Sequence, residues 1–195
     1  MQDLIKQSFT ESIQSKIVAA DMLADAIENA AQTIVNCLLQ DKKVICCGDG
    51  IAYGVAATFT SMLVQPAGAT RPSLPAVLLQ GNNTQLSVSA GYNQAEYIYA
   101  EQLKIVAQPG DVLLVLASDP NNAVLTRTME AAVANDMIII AITGDDGGEV
   151  AGLISTNDIE IKIPANKPVR IVEVQQLIAH CLCDAIVNTL FPGSQ

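Results

Sequence analysis

The chain predicts an α/β domain, a parallel sheet with helices on both faces, preceded by a helical arm. Five short apolar runs, each bounded by Gly, Pro, Asp or Asn, alternate with helix-like segments, most of ten residues or more. Half of the residues are hydrophobic but only 4% are aromatic, with no Trp, so the core must be built from Ala, Val, Ile and Leu, as in a helix-covered parallel sheet. A length of 195 residues suits one domain with a full core, or one domain plus a helical extension.

The first forty residues read as helix, in one or two pieces. Leu23, Ile27, Ala31, Ile34 and Leu38 recur at three- and four-residue spacing, and a looser stripe runs back through Ile17, Ile13, Phe9 and Leu4. This helix precedes every strand, so residues 1–42 form an arm able to pack on its own domain or on another subunit, and residues 43–195 form the α/β domain. The arm is the first pointer to an oligomer. Strands are expected at 44–47, 76–79, 112–117, 137–142 and 159–163, and helices at 53–64, 84–90, 95–107, 121–135 and 169–190. Right-handed crossovers then give a three-layer sandwich around a five-stranded parallel sheet. Ligands of such sheets bind beyond the strand carboxyl ends, where three turns qualify: 48–52, 118–122 and 143–148.

Ten basic against twenty acidic residues leave a net charge of -10, which opposes direct binding to nucleic acid or anionic lipid. The amino terminus, MQDLIKQSFTESIQ, has no apolar signal core, and no apolar run approaches the roughly 20 residues of a membrane span. A cytoplasmic protein is expected. Cys37, Cys46, Cys47, Cys181 and Cys183 lack the paired spacing of a zinc site and read as buried free thiols, with Cys181 and Cys183 facing different directions on one helix.

The first turn, VICCGDGIAYG, has the glycines of a phosphate loop, Gly48 and Gly50, but no hydroxyl, and Ala52 opens its helix. Asp49 lies between the glycines, where its carboxylate can accept the N–H groups a phosphate would need or cap the helix, and its charge repels an anion. In the second turn, LASDPNNAV, Ser118 or Asp119 caps the next helix and Pro120 takes its first position, removing a further donor. Asn121 follows. Asp145, Asp146 and Glu149 make the third turn a solvated acidic loop; Asp49, Asp119 and Asp145 could together hold a divalent cation only if the fold gathers them. His180 is the one histidine. Glu173 stands seven residues before it, about 10 Å along a helix and too far for a direct hydrogen bond, so His180 reads as a core or interface residue.

Taken together, the arm, the CCGDG turn, RPSLPAV, PGDVLL, ITGDDGGEVAGL, DIEIKIP and the final RIVEVQQLIAHCLCDAI resemble the sugar isomerase (SIS) domain, in the branch of the phosphoheptose isomerases. The resemblance implies flavodoxin-like topology and a homotetramer with sites between subunits. Family isomerases have a Gly-Asn-Gly-Gly-Ser-like first turn and a following helix with His and then Glu. Here Asp49 stands for the Asn, Ala52 for the phosphate-binding Ser, Thr58 for the His and Met62 for the Glu. Of the second-turn pattern only Ser118 and Asn121 survive, and Val172 replaces a Gln, whereas Glu173 and His180 keep their places as vestiges of the acid/base centre. Losing either member of such a centre costs a factor of about 100 to 10,000, so no isomerase activity, cofactor or metal is expected, and phosphosugar binding is doubtful.

The ending CLCDAIVNTLFP, with DGGEVAGL and DIEIKIP, is similar to the adaptors of this branch that bind the bacterial replication initiator DnaA and promote its assembly at the chromosomal origin. A non-enzymatic adaptor of that kind is the leading expectation. Leu190 and Phe191, beside Pro192, are its candidate contact, because aromatic anchors are preferred at interfaces and Phe occurs only three times; the same pair could equally pack on the core. The alternative is an enzyme or sensor of the phosphoheptose isomerase type, for the sedoheptulose 7-phosphate class.

Overall fold

The computed structural model describes residues 1–65 and 71–193. The chain runs α1 (Gln2–Leu39), β1 (Val44–Gly48), α2 (Ala52–Val64), β2 (Ala76–Leu78), α3 (Asn83–Gly91), a single 3-10 turn (Ala95–Tyr97), α4 (Ile98–Val106), β3 (Val112–Leu116), α5 (Ala123–Val133), β4 (Ile138–Thr143), α6 (Gly148–Gly152), β5 (Ile159–Lys162) and α7 (Pro168–Leu190). All strands are parallel, in the order β2-β1-β3-β4-β5. Val44 faces both Ala76 and Val112, and Val112 faces Ile138, so β1, β3 and β4 end nearly level and bring the first three turns together at one edge.

Strand alternation divides the core. Val44, Cys46, Val112, Leu114, Leu116, Ile140 and Ile142 face the helices α1, α2 and α7, while Ile45, Cys47, Leu113, Val115, Ile139 and Ala141 face α4, α5 and α6. Both faces are dry, so each strand reads as an unbroken apolar run. At the amino edge the fully buried Asp111 accepts from Lys43 N at 3.1 Å, Lys43 Nζ at 2.6 Å and Gln108 N at 2.8 Å, joining the entries of β1 and β3.

The arm is one continuous helix. From Ala19 onward its inner stripe, Leu23, Ala30, Ala31, Ile34 and Val35, lies in the core against α7, whereas none of its first eighteen residues is fully buried. Its end is fixed by Asp41, at φ 59, which lets Lys42 N bond Cys37 O before β1.

Several boundaries and burials differ from expectation. The helix after β3 starts at Ala123, not at Pro120: Asn122 is its cap, with Oδ1 accepting from Val124 N at 3.0 Å and Leu125 N at 3.4 Å. Asp119 is spent earlier, in accepting from Asn121 N at 3.0 Å. The acidic third turn runs into α6, a helix the Gly pair concealed. Cys181 is exposed, while burial pushes the Cys37 thiol up to about 11 and Cys46 up to about 12, leaving both unreactive. By length and composition alone α7 is apolar enough to cross a membrane, contrary to the sequence expectation. Its inward face, including Ile171, Val174, Ile178, Leu182 and Ile186, fills the space between the sheet and α1.

A cleft at the strand carboxyl ends and a helix end on the core

The turn after β1 is as tight as its glycines demand. A Cβ on Gly48 would lie 2.9 Å from the backbone of Ala52 and Tyr53, and Gly50 has a φ of +43. Asp49 does not cap α2, whose N-cap is Ile51 without a side-chain bond. Instead Asp49, a residue only 7% exposed, sends its carboxylate across to the turn after β3. One oxygen accepts from Ser118 N at 2.7 Å and Ser118 Oγ at 3.1 Å, and the other from Asp119 N at 2.8 Å. Ala52, fully buried at the start of α2, offers no hydroxyl to this edge.

Beyond the turns lies a cleft of about 710 Å³ lined by Ser118, Asp119, Asn121, Asp145, Asp146 and Asn166. Its walls are braced by backbone and amide bonds: Asn121 Oδ1 accepts from Glu149 N at 3.0 Å, and Val150 N donates to Pro120 O at 3.0 Å. From beneath, the fully buried Gln175 of α7 donates through Nε2 to Ala117 O at 3.0 Å and Ile142 O at 2.9 Å, tying the ends of β3 and β4 to the helix. Sequence reasoning missed Gln175, since only the fold shows that one amide spans two strands. Among the described residues no group of three His, Cys, Asp or Glu side chains is gathered for a metal ion, and Asp49 has turned both oxygens to N–H groups.

Glu173 and His180 are not joined. Arg170 NH1 donates to both Glu173 oxygens, at 2.7 and 2.6 Å, and Arg170 NH2 to Ser8 Oγ at 2.6 Å. Burial would raise the Glu173 pKa, but the Ser12 hydroxyl and the Arg170 guanidinium outweigh it and hold the carboxyl below its ordinary value. Glu173 is therefore a carboxylate serving the junction of α1 and α7. His180 is exposed, not in the core, with Nε2 accepting from Gln176 Nε2 at 2.9 Å. Thr58 and Met62 lie on α2; the Thr58 hydroxyl donates to Gly54 O at 2.8 Å and Met62 packs against the core.

Leu190 closes α7 and Phe191 is its C-cap, bonded through N to Val187 O at 2.8 Å. Both are half-buried against the core, with Pro192 and Gly193 exposed after them; the last two residues of the polar tail lie outside the described residues.

This is a doubly wound α/β protein with an acidic cleft at the strand carboxyl ends and no acid/base pair assembled among its described residues. The chain belongs to the SIS domain family, whose profile matches residues 8–144. It is 45% identical over 192 residues to the DnaA initiator-associating protein DiaA of Photorhabdus laumondii, an alignment that takes in 98% of each chain. Identity to the DnaA initiator-associating protein DiaA of Escherichia coli strain K12 is 44% over the same length, again 98% of each. Among solved structures, a phosphoheptose isomerase from Francisella tularensis superposes with a TM-score of 0.89 at 34% identity, over 95% of this chain and 97% of that one. The phosphoheptose isomerase from Neisseria gonorrhoeae gives 0.87 at 28% identity, with the same coverage.

Proposed function

We propose that this chain is a non-enzymatic cytoplasmic adaptor that binds the replication initiator DnaA and promotes its assembly at the chromosomal origin. The observation that carries the reading is full-length identity of 44 to 45% to proteins named for association with that initiator. The geometry supports it, because a proton shuttle between sugar carbons needs an acid and a base in place, and here Met62 replaces one while His180 is exposed and bonded to Gln176.

The adaptor works by multivalency. A homotetramer presenting several initiator sites raises the effective concentration of the second and later copies, adding a factor of about 100 to 10,000 in avidity without touching DNA. An acidic protein can do this because the initiator holds the nucleic acid. Leu190 and Phe191 are the proposed contact: each keeps part of its surface open at the end of a rigid helix anchored in the core. The double change Leu190→Ala with Phe191→Ala should abolish capture of purified DnaA while sedimentation still shows the parent oligomer. A variant that captures normally, or that dissociates, sinks this assignment.

A second reading rests on the superposition with phosphoheptose isomerases at 34% identity. It requires turnover of sedoheptulose 7-phosphate, or a rise in Tm with a phosphosugar; a ligand at 100 times its Kd adds about 2.7 kcal/mol to the native state. The adaptor reading expects neither.

A further inference from the structure

The environment of Asp49 is that of a bound anion. Two backbone N–H groups and one hydroxyl converge on its carboxylate at 2.7, 2.8 and 3.1 Å, at the edge of the sheet where such folds present donors to anionic ligands. All three donors come from the turn after β3, 69 and 70 residues away in sequence, and none comes from the helix that follows Asp49 itself. Asp49 is the buried member of the set, at 7% exposure, whereas Ser118 is half-buried and Asp119 exposed, so the carboxylate has been drawn inward to meet donors at the sheet edge. The spacing of two carboxylate oxygens is close to that of two oxygens of a phosphate, so the donor set fits either group.

We propose that Asp49 is an internal oxyanion, a side chain of the chain itself filling an anion site formed by Ser118 and Asp119, and that it holds the β1 and β3 turns in their occupied arrangement without any ligand. The site's chemical class is thus a carboxylate or phosphate, and its occupant is covalently attached. An external anion meets a filled donor set and, in the adjoining cleft, the side chains of Asp119, Asp145 and Asp146. The first turn makes this possible: Gly48 allows α2 to begin immediately beside the strand, and Gly50, at φ +43, turns the chain away so that Asp49 can point across the sheet.

This inference does not depend on the partner of the protein, and its test is separate. Asp49→Ala removes the anion and leaves the donors in place, so in chloride buffer Tm should fall by about 5 °C. Formate at matched ionic strength should restore most of that loss, and should leave the wild type unmoved. Inorganic phosphate is the second arm: restoration by phosphate as well shows room for a tetrahedral anion, and restoration by formate alone shows a site of carboxylate size; each supports the proposal. An unchanged Tm in Asp49→Ala, a loss that neither anion repairs, or equal stabilisation of the wild type overturns it. Asp49→Asn covers the case in which the alanine variant does not fold. It keeps one acceptor for Ser118 but turns an NH2 toward Asp119 N, so hydrogen exchange at the Asp119 amide should quicken about tenfold while the β3 amides keep their protection. Unchanged exchange at Asp119 overturns the proposal too.

Discussion

Asp111 is the residue on which the amino edge of the sheet turns. It is fully buried, accepts three hydrogen bonds and pairs with Lys43, whose side chain remains 21% exposed. Asp111→Ala strands two backbone N–H groups but lets the lysine reach water, so the loss should be about 3 kcal/mol, the low end for a broken buried pair. Calorimetry should show Tm lower by about 10 °C. Asn122→Ala removes the two bonds that start α5 and should cost about 1 kcal/mol, or about 3 °C. Asn122 also shows where a sequence stops being legible. LASDPNNAV offers four candidate caps and a proline suited to a first helical position, and local chemistry favours Ser118 or Asp119. The fold decides otherwise: the Ser118 hydroxyl donates to Asp49, the Asp119 carboxylate accepts from Asn121 N, and Asn122 is left to start the helix. The aspartate between two glycines was visible as a departure from a phosphate loop, but its partners belong to the turn after a neighbouring strand, which the local pattern does not name.

Between elements, α1 and α7 are fastened by a charged clasp. Lys167 Nζ donates to Glu11 Oε2 at 2.8 Å, and Arg170 holds Glu173 and Ser8. The hydrogen bond and charge of Lys167 hold the Glu11 carboxyl below its ordinary value, as Ser12 and Arg170 do for Glu173. A carboxyl whose folded pKa is depressed contributes stability that is present above its unfolded value and is lost as pH falls through the folded one. Acid should therefore loosen the amino-terminal half of α1 first, since it adds little to the core. Glu173→Gln should be less stable than the wild type at neutral pH and should converge with it in acid, which thermal melts across that range would read; parallel curves would show that the clasp carries no proton linkage. Periodicity made both helices legible, down to the stripe of Leu23, Ile27, Ala31, Ile34 and Leu38. The clasp was not, because Glu11 and Lys167 lie 156 residues apart and look like ordinary surface charges in sequence. The short α6 was hidden by its own glycines, and it forms because Asn121 and Pro120 receive its first N–H groups.

For the whole molecule, alternation of strands and helices was enough to predict a parallel sheet covered on both faces, whereas the strand order came only with the resemblance to the SIS domain. The proposed oligomer is a different matter, and it rests on the arm. Leu4, Phe9, Ile13 and Ile17, the looser part of the stripe, are 70%, 66%, 55% and 52% exposed in the single chain, with Ile5 beside them at 52%. Large apolar residues repeating at helical spacing along an open face are the composition of an interface core, and the burial of such side chains contributes about 1.5 to 3 kcal/mol each. If this face joins subunits, Phe9→Asp with Ile13→Asp should reduce the sedimenting species to a smaller one without lowering helix content, because neither residue is buried in its own chain. The same variant separates affinity from avidity. It should still bind one copy of DnaA through Leu190 and Phe191, with its apparent affinity for initiator assembled on origin DNA reduced by about 100-fold or more. Full avidity in a dissociated variant would show that multivalency is not how the adaptor acts, and an unchanged sedimentation profile would move the interface off α1.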